Sequence, residues 1–585
     1  MRYSLLGLVT LLGTVLFAIT ELLGAFELIQ RAPLLIAWIT VAVAALVVVR
    51  LRPPSLRIRA FRPDLIVVLC VAACVLVVAI TAVTAIISPP NSADAMAYHL
   101  PRVVHWAQQS SVRLFPTPYL NQVMLQPFAE YVMLHLYVLS GGDHLINLVQ
   151  WFASVVSIIG VSLIAGLLGA APRGQAIAAL FCATLPSGIL ASSGAKNDYV
   201  LAMWMVIAVC FAIRLASKSS LADALFLGAA IGLALLTKAN AYLFLPCLVF
   251  AVCIMRWRIV VLVCALAINA PHFVRNYNLS GSILGFDSAQ ANGFFRWRNE
   301  TFGWKQTVSN IVRNVSEQLG SRNERWNRGV YDAAISIHRR LGIDINDPAT
   351  TWPWTKFGPP KNANHEADAP NRWHLFALLA IAVVLGWRRS WPSLLYMAAL
   401  MCGFITFCAY LKWQPFMARL FLPLFVVAAP MAGMVGAAVL PLCLLFLDNA
   451  RLPLIENWVR PLKGPTSILH VPRDDQYFAD MKPWNNRDSY MQSVDLIART
   501  GCNTVGIDIH NFQLEYPLMA LLRERRPSTR FVHTGISNVT PEPSPCVIAC
   551  LDCLDDIPRL SLYKDFTTAA VYGKFVILSG TGWRH

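Results

Sequence analysis

The stretch "LIVVLCVAACVLVVAITAVTAII", residues 65–87, carries no charged side chain from end to end. A helix of about 20 residues crosses the hydrocarbon of a bilayer, and only helices and closed barrels satisfy their backbone there. Comparable apolar runs recur at 4–28, 33–50, 64–88, 143–170, 174–191, 199–216, 221–237, 240–255, 259–275, 373–388, 392–411, 416–431 and 434–448. The expected fold class is therefore mainly α: a polytopic helical membrane protein with about thirteen transmembrane helices. Composition agrees. Only 14% of the 585 residues are charged, against about 25% in soluble domains. Residues 124–140 are also apolar but contain Pro127, Glu130 and His135, and read as a helix lying at or dipping into the interface.

Basic residues in short loops set the orientation. The linker "RLRPPSLRIRAFRPD" after the second span is rich in arginine and reads as cytoplasmic. If every span crosses, Arg173, Arg214 with Lys218, Arg256 with Arg258, and Arg388 with Arg389 fall on that same side. The N-terminus is then cytoplasmic, while the loops 89–140 and 276–371 and the tail after residue 449 face outward. This distribution accounts for much of the +16 net charge, so no nucleic-acid partner is expected. The first 28 residues lack a clear small-x-small cleavage site, and removing them would break the orientation; they read as a retained span.

The expected domains are 1–63, two additional N-terminal helices with the arginine-rich linker; 64–450, a membrane module with its outer loops; 451–484, a linker; and 485–585, a small α/β domain outside the membrane. In the tail, "SYMQSVDLIARTG" and "EYPLMALLRERRP" have helical spacing, while "NTVGIDI", "TRFVHTGI", "CVIACLD" and "KFVILSG" read as strands. Cys502, Cys546, Cys550 and Cys553 lack the paired spacing of a structural zinc site and read as two disulfides, with three connectivities open. The insertion 276–371 contains "TWPWTKFGPPKNANHEADAP"; its tryptophans favour a folded segment over the core.

Candidate chemistry gathers at outer span ends. "SPPNSADAMAYHLPRVVHW", residues 88–106, places Asp94, His99 and Arg102 just beyond an apolar run. Asp94 in this position can cap a helix, with Met96, Leu100, Val103, Val104 and Trp106 as that helix's apolar stripe. "SSGAKNDYV" places Lys196, Asn197 and Asp198 where apolar sequence resumes, and Asp198 has the same capping alternative. Ionisable residues at such places are functional candidates. Arg275 in "NAPHFVRNYNLSGSILG" closes a span; its planar guanidinium suits a phosphate, with a snorkelling anchor as the alternative. Lys238 in "LLTKANAY" and Arg419 in "LKWQPFMARLFLP" lie at other outer turns. Asp94, Asp198 and His99 offer hard donors, so a divalent cation is conceivable, but no metal ligand is assigned.

In order and sidedness these pieces resemble the membrane glycosyltransferases of the C-type fold. The resemblance is to the bacterial relatives of protein O-mannosyltransferases and the lipid A aminoarabinose transferase. It covers residues 64–450: Asp94 opening the first outer loop, then "LQPFAEY", Asp198, "GLALLTKANAYLFLP", "PHFVRNYNLSGSILG" and "ARLFLPLF". It implies an inverting transferase in a bacterial inner membrane that moves a sugar from a polyprenyl-phosphate donor to a hydroxyl of a glycolipid, polysaccharide or protein. Asp94 would be the general base, Asp198 would position the acceptor or share that role, and Arg275 would bind the donor phosphate. His99, Arg102, Lys196, Asn197, Lys238 and Arg419 would line the substrate site. Relatives often carry Lys-Pro-Pro where this chain has Gln126-Pro127; Gln126 has no charge, leaving Lys196, Arg102, Arg113 or Lys238 to replace it. An oligosaccharide ligase or polymerase is the alternative enzyme. A flippase predicts midplane charges and repeated halves, neither of which the sequence displays.

Overall fold

The computed structural model describes residues 1–51, 63–250, 256–285, 296–436, 440–481, 486–510, 513–536 and 543–580. Most of the arginine-rich linker lies outside them. The chain is a bundle of apolar helices carrying folded loops and a small sheet domain. Each apolar segment named from the sequence contains helix among its described residues. Among the described residues, seven helices are long and apolar enough to cross a membrane: Arg2–Ala25, Arg31–Leu51, Leu65–Ile87, Leu148–Leu167, Asp198–Ser217, Arg258–Ser280 and Trp391–Tyr410. Shorter apolar helices include Phe128–Ser140, Leu221–Thr237 and Arg372–Trp387.

The expected span 174–191 is two helices, Pro172–Ala183 and Pro186–Ser192, bent by 66°. The cause is Pro186. The residue before a proline is pushed out of the helical region, and Leu185 accordingly has ψ 117°. The segment 416–431 is likewise broken, into Met417–Leu420, Leu422–Ala428 and a turn beginning at Pro430, with Pro423 as a second interruption.

Helix Asp198–Ser217 is the hub of the bundle, packing on Leu148–Leu167 and Leu221–Thr237. Leu221–Thr237 in turn packs on Arg258–Ser280 so closely that a Cβ at Gly228 would meet the Val261 carbonyl oxygen at 2.8 Å. Gly232 one turn on faces Ala265 and Ile268, so small residues four apart set this crossing. By contrast, only Leu34 of helix Arg31–Leu51 is buried, which leaves that helix's apolar surface to lipid.

Residues 296–371 of the insertion 276–371 carry amphipathic helices Trp304–Gln318 and Glu324–Leu341. Arg313 fastens it, donating to Ile345 O, Thr350 O and the Thr351 hydroxyl.

The tail forms one five-stranded sheet from β1 (Thr504–Asp508), β2 (Arg530–His533), β3 (Val547–Cys550), β4 (Phe566–Tyr572) and β5 (Phe575–Gly580), in the order β2-β1-β3-β5-β4. β1 is parallel to β2 and β3; β5 is antiparallel to β3 and β4. Helices Arg487–Arg499 and Tyr516–Arg525 cover it. Disulfides join Cys502 to Cys546 and Cys550 to Cys553.

This domain is docked on the loop 89–140. β2 is a sheet edge, and the Gln108 side chain pairs with it as a neighbouring strand would: its amide donates to Phe531 O and its oxygen accepts from Phe531 N, at 3.1 and 2.8 Å. Asp143 accepts from the hydroxyls of Tyr477 and Tyr516 at 2.6 and 2.9 Å.

Candidate active site

Asp94 does not cap a helix. Its side chain makes no capping hydrogen bond, and the turn that follows it, Ala95–His99, is π-helical, a local distortion common at functional sites. Met96, Leu100, Val103, Val104 and Trp106 are buried as the stripe predicts, and this anchors the turn while its first acid stays free to pair elsewhere. The Asp94 carboxylate meets Arg419 at 2.5 Å. Burial pushes the Asp94 carboxyl up, but the Arg419 guanidinium, with Lys196 and His99 behind it, outweighs burial and holds it well below the usual carboxylate range.

Asp198 begins the hub helix, and its side chain likewise does not cap: it pairs with Lys238 at 2.5 Å. Lys238 also donates to Asn197 Oδ1 at 3.0 Å, and Asn197 donates to Thr237 O, closing this corner. Arg419 and Lys196 act electrostatically on both Asp94 and Asp198, so these acids and their bases form one charged cluster.

The insertion and the region after the last span complete the cluster. Lys196 pairs with Glu366 at 2.7 Å, and Glu366 pairs with the fully buried Arg460 at 2.6 Å. Arg460 reaches back to Asn91 Oδ1 at 2.9 Å and Ser193 Oγ at 3.2 Å. Asp480 accepts from the backbone N–H of Ala93, next to Asp94, at 2.7 Å and pairs with His365 at 2.9 Å. Arg419 N donates to Ala367 O. Burial raises the Glu366 carboxyl, but Lys196 and Arg460 bring it far below its ordinary value. Burial pushes Asp368 up, and burial with Asp368 nearby pushes Glu317 well up. In these ion pairs Arg419, Lys196, Lys238 and Arg460 face Asp94, Asp198 and Glu366, four cations to three anions.

Two other expected site residues belong to an adjoining network. His99 Nδ1 lies 3.0 Å from Glu130, and Arg102 contacts the same oxygen at 3.1 Å while donating to the carbonyls of Gln122 and Leu125. Arg102 is thereby a brace for the outer loop. Arg113, a possible substitute cation, pairs with Glu27 at the surface.

Arg275 is placed differently from the rest. Its terminal nitrogens grip both oxygens of Glu21, at 2.8 and 2.7 Å, and one of them also reaches the Tyr131 hydroxyl at 2.6 Å. Asp94, Asp198 and His99 are each held by a different partner, so they do not present a shared set of metal donors. Glu366, Arg460, His365 and Asp480 were not read from the sequence; the acidic "NHEADAP" was the one available signal.

Beside this polar region, an apolar cavity of about 430 Å³ opens between helices Arg2–Ala25, Phe128–Ser140, Leu148–Leu167 and Asp198–Ser217, lined by Leu16, Trp38, Phe128, Val132, Phe152 and Trp204.

Residues 126–274 match the family described as dolichyl-phosphate-mannose-protein mannosyltransferase. ArnT from Cupriavidus metallidurans, solved with undecaprenyl phosphate, aligns at 16% identity over 88% of this chain and 97% of its own, with a TM-score of 0.41. The oligosaccharyltransferase of Archaeoglobus fulgidus in its apo form aligns at 14% identity over 80% of this chain and 64% of its own, with a TM-score of 0.44. The same archaeal enzyme, AglB, with an inhibitory peptide and dolichol-phosphate, aligns at 13% identity over 88% and 75%, with a TM-score of 0.39. No curated protein matches the chain.

Proposed function

We propose that the protein is an inverting glycosyltransferase that moves a sugar from a polyprenyl-phosphate donor to an acceptor hydroxyl on the outer face of a bacterial inner membrane. The N-terminus would be cytoplasmic and the tail domain periplasmic. The observation that carries this reading is the cluster of Asp94, Asp198, Arg419, Lys196 and Lys238, an acid pair inside a cationic surplus. The match of residues 126–274 to a lipid-linked mannosyltransferase family supports the reaction class. The apolar cavity beside the bundle suits a prenyl chain.

The acceptor oxygen attacks the anomeric carbon while its proton passes to the Asp94 carboxylate. The bond from that carbon to the phosphate oxygen breaks, and polyprenyl phosphate leaves with the electron pair. Arg419 and Lys238 stabilise the charge that grows on the leaving phosphate. A carboxylate locked to Arg419 is a weak base. An arriving phosphate competes for that guanidinium, and each step by which Arg419 shifts toward the phosphate restores basicity to Asp94. Asp198 orients the acceptor through the Lys238–Asn197 corner. Acceptors within reach of this chemistry are glycolipid, polysaccharide or protein hydroxyls.

The test is transfer from a radiolabelled polyprenyl-phosphate sugar by purified protein in lipid nanodiscs. Asp94→Asn is expected to lower turnover by about 10²–10⁴-fold, the contribution of a general base, with donor binding retained. Unchanged turnover removes Asp94 from the reaction.

A further inference from the structure

Away from the charged cluster, three buried side chains from distant parts of the chain meet where the tail domain docks. His105 lies on the outer-loop helix Leu100–Gln109, Glu515 directly precedes helix Tyr516–Arg525, and His533 ends β2. All three are at most 6% exposed, and their donor atoms lie within 4.8 Å of one another. Tetrahedral zinc with bonds of about 2.0–2.2 Å sets its donors roughly 3.4 Å apart, so shifts of about 1 Å or less bring these atoms to one ion.

The hydrogen bonds around them leave a place for a cation. His533 Nδ1 lies 3.0 Å from the Pro116 carbonyl, to which only a ring N–H can donate. In the neutral ring, Nε2 then presents a lone pair, and it points at a Glu515 oxygen 2.9 Å away. Two lone pairs that close need a positive centre between them. One ring nitrogen of His105 belongs to the same group, and its Nε2 is buried with no hydrogen-bond partner, which is costly for a buried polar atom. A proton between Glu515 and His533 would leave His105 unsatisfied. A metal ion satisfies all three.

We infer that His105, Glu515 and His533 form a zinc-type divalent metal site that clamps the tail domain onto the outer loop. Two imidazole nitrogens and one carboxylate oxygen, with no thiolate, make a donor set for zinc. A water can complete the tetrahedron. The surrounding contacts are those that orient metal ligands elsewhere. The Pro116 carbonyl fixes the His533 tautomer, Phe115 stacks on His105 at 4.4 Å, and the Gln122 amide donates to the other Glu515 oxygen. Gln122 also donates to Ala97 O at 2.9 Å. The clamp is thereby linked to the π-helical turn that follows Asp94.

Full-length protein with its affinity tag removed is stripped with a chelator, reloaded with zinc and dialysed, and its metal content is read by mass spectrometry. One zinc per chain is expected. His105→Phe, which keeps the stacking, and His533→Gln are each expected to lower retained zinc at least tenfold, whereas Cys550→Ser with Cys553→Ser leaves it unchanged. Cobalt loading of the wild type gives an independent reading that needs no variant: tetrahedral d–d bands without thiolate charge transfer are expected. Retention below a tenth of an equivalent overturns the site. So does equal retention in the histidine variants, or a cobalt spectrum that is octahedral or thiolate-bound.

Discussion

Arg275 and Arg419 each hold a carboxylate, but the two clamps are built on different charge balances. Around Arg275 the charges close on themselves: one guanidinium, one Glu21 carboxylate and the neutral Tyr131 hydroxyl between them. An anion arriving there must first displace Glu21. Around Arg419 the single Asp94 contact sits among Lys196, Lys238 and Arg460, which pair with Asp198 and Glu366. An anion arriving here neutralises a surplus. The same two residue types thus form a closed brace in one place and an open site in the other, and the local charge sum separates them better than either distance.

Turnover should divide the two clamps most sharply. Asp94→Asn is expected to lose about two to four orders of magnitude of transfer, while Glu21→Gln, measured in the same nanodisc assay, keeps transfer within about fivefold. Equal losses would break the comparison and return the phosphate to Arg275. Next in size, Arg419→Gln should lower turnover by about 10²–10³-fold, as for one lost charge-stabilising donor. It should also move the acid limb of the pH–rate profile. Burial raises the Asp94 carboxyl and Arg419 holds it down; with Arg419 gone the carboxyl takes up a proton at higher pH, so the limb shifts upward. An unmoved limb separates Asp94 from the observed titration.

Arg275→Gln is expected to act on stability instead, by about 2–3 kcal/mol in a denaturation series, because it strands a half-buried carboxylate. The smallest effect concerns the insertion. Burial lowers the His365 imidazole, but Asp480 outweighs it and raises the group overall. The pair therefore stabilises docking at pH below the unfolded histidine value and loses that contribution as pH rises through the folded one. Hydrogen exchange over 360–370 should quicken a few-fold on that rise in the wild type and show no such step in His365→Ala.

The membrane bundle was legible because burial in lipid demands apolarity at every position, which a hydropathy reading registers directly. Asp94, Asp198 and Lys196 were legible because charge at a span end is conspicuous. Lys238 and Arg419 were legible in the same way, though not which acid each would hold. Glu366, Arg460 and Asp480 were not: they approach from more than 150 residues away, and no local pattern in "VRPLKGP" marks Arg460 for burial. In the tail, β1, β2, β3 and β5 were readable as apolar runs. β4 was missed because "FTTAAVY" forms the sheet edge, half exposed, and lacks an apolar face.

Asp480 and Arg460 both follow the last apolar helix, yet they support the Asn91–Ala93 segment on which Asp94 stands. The region beyond the bundle is therefore not interchangeable equipment. A chimera that grafts another protein's tail after residue 450 would inherit intact helices and lose the floor beneath Asp94. Transplanting the tail together with residues 88–109 and 360–370 keeps those contacts, so the three segments act as one structural unit.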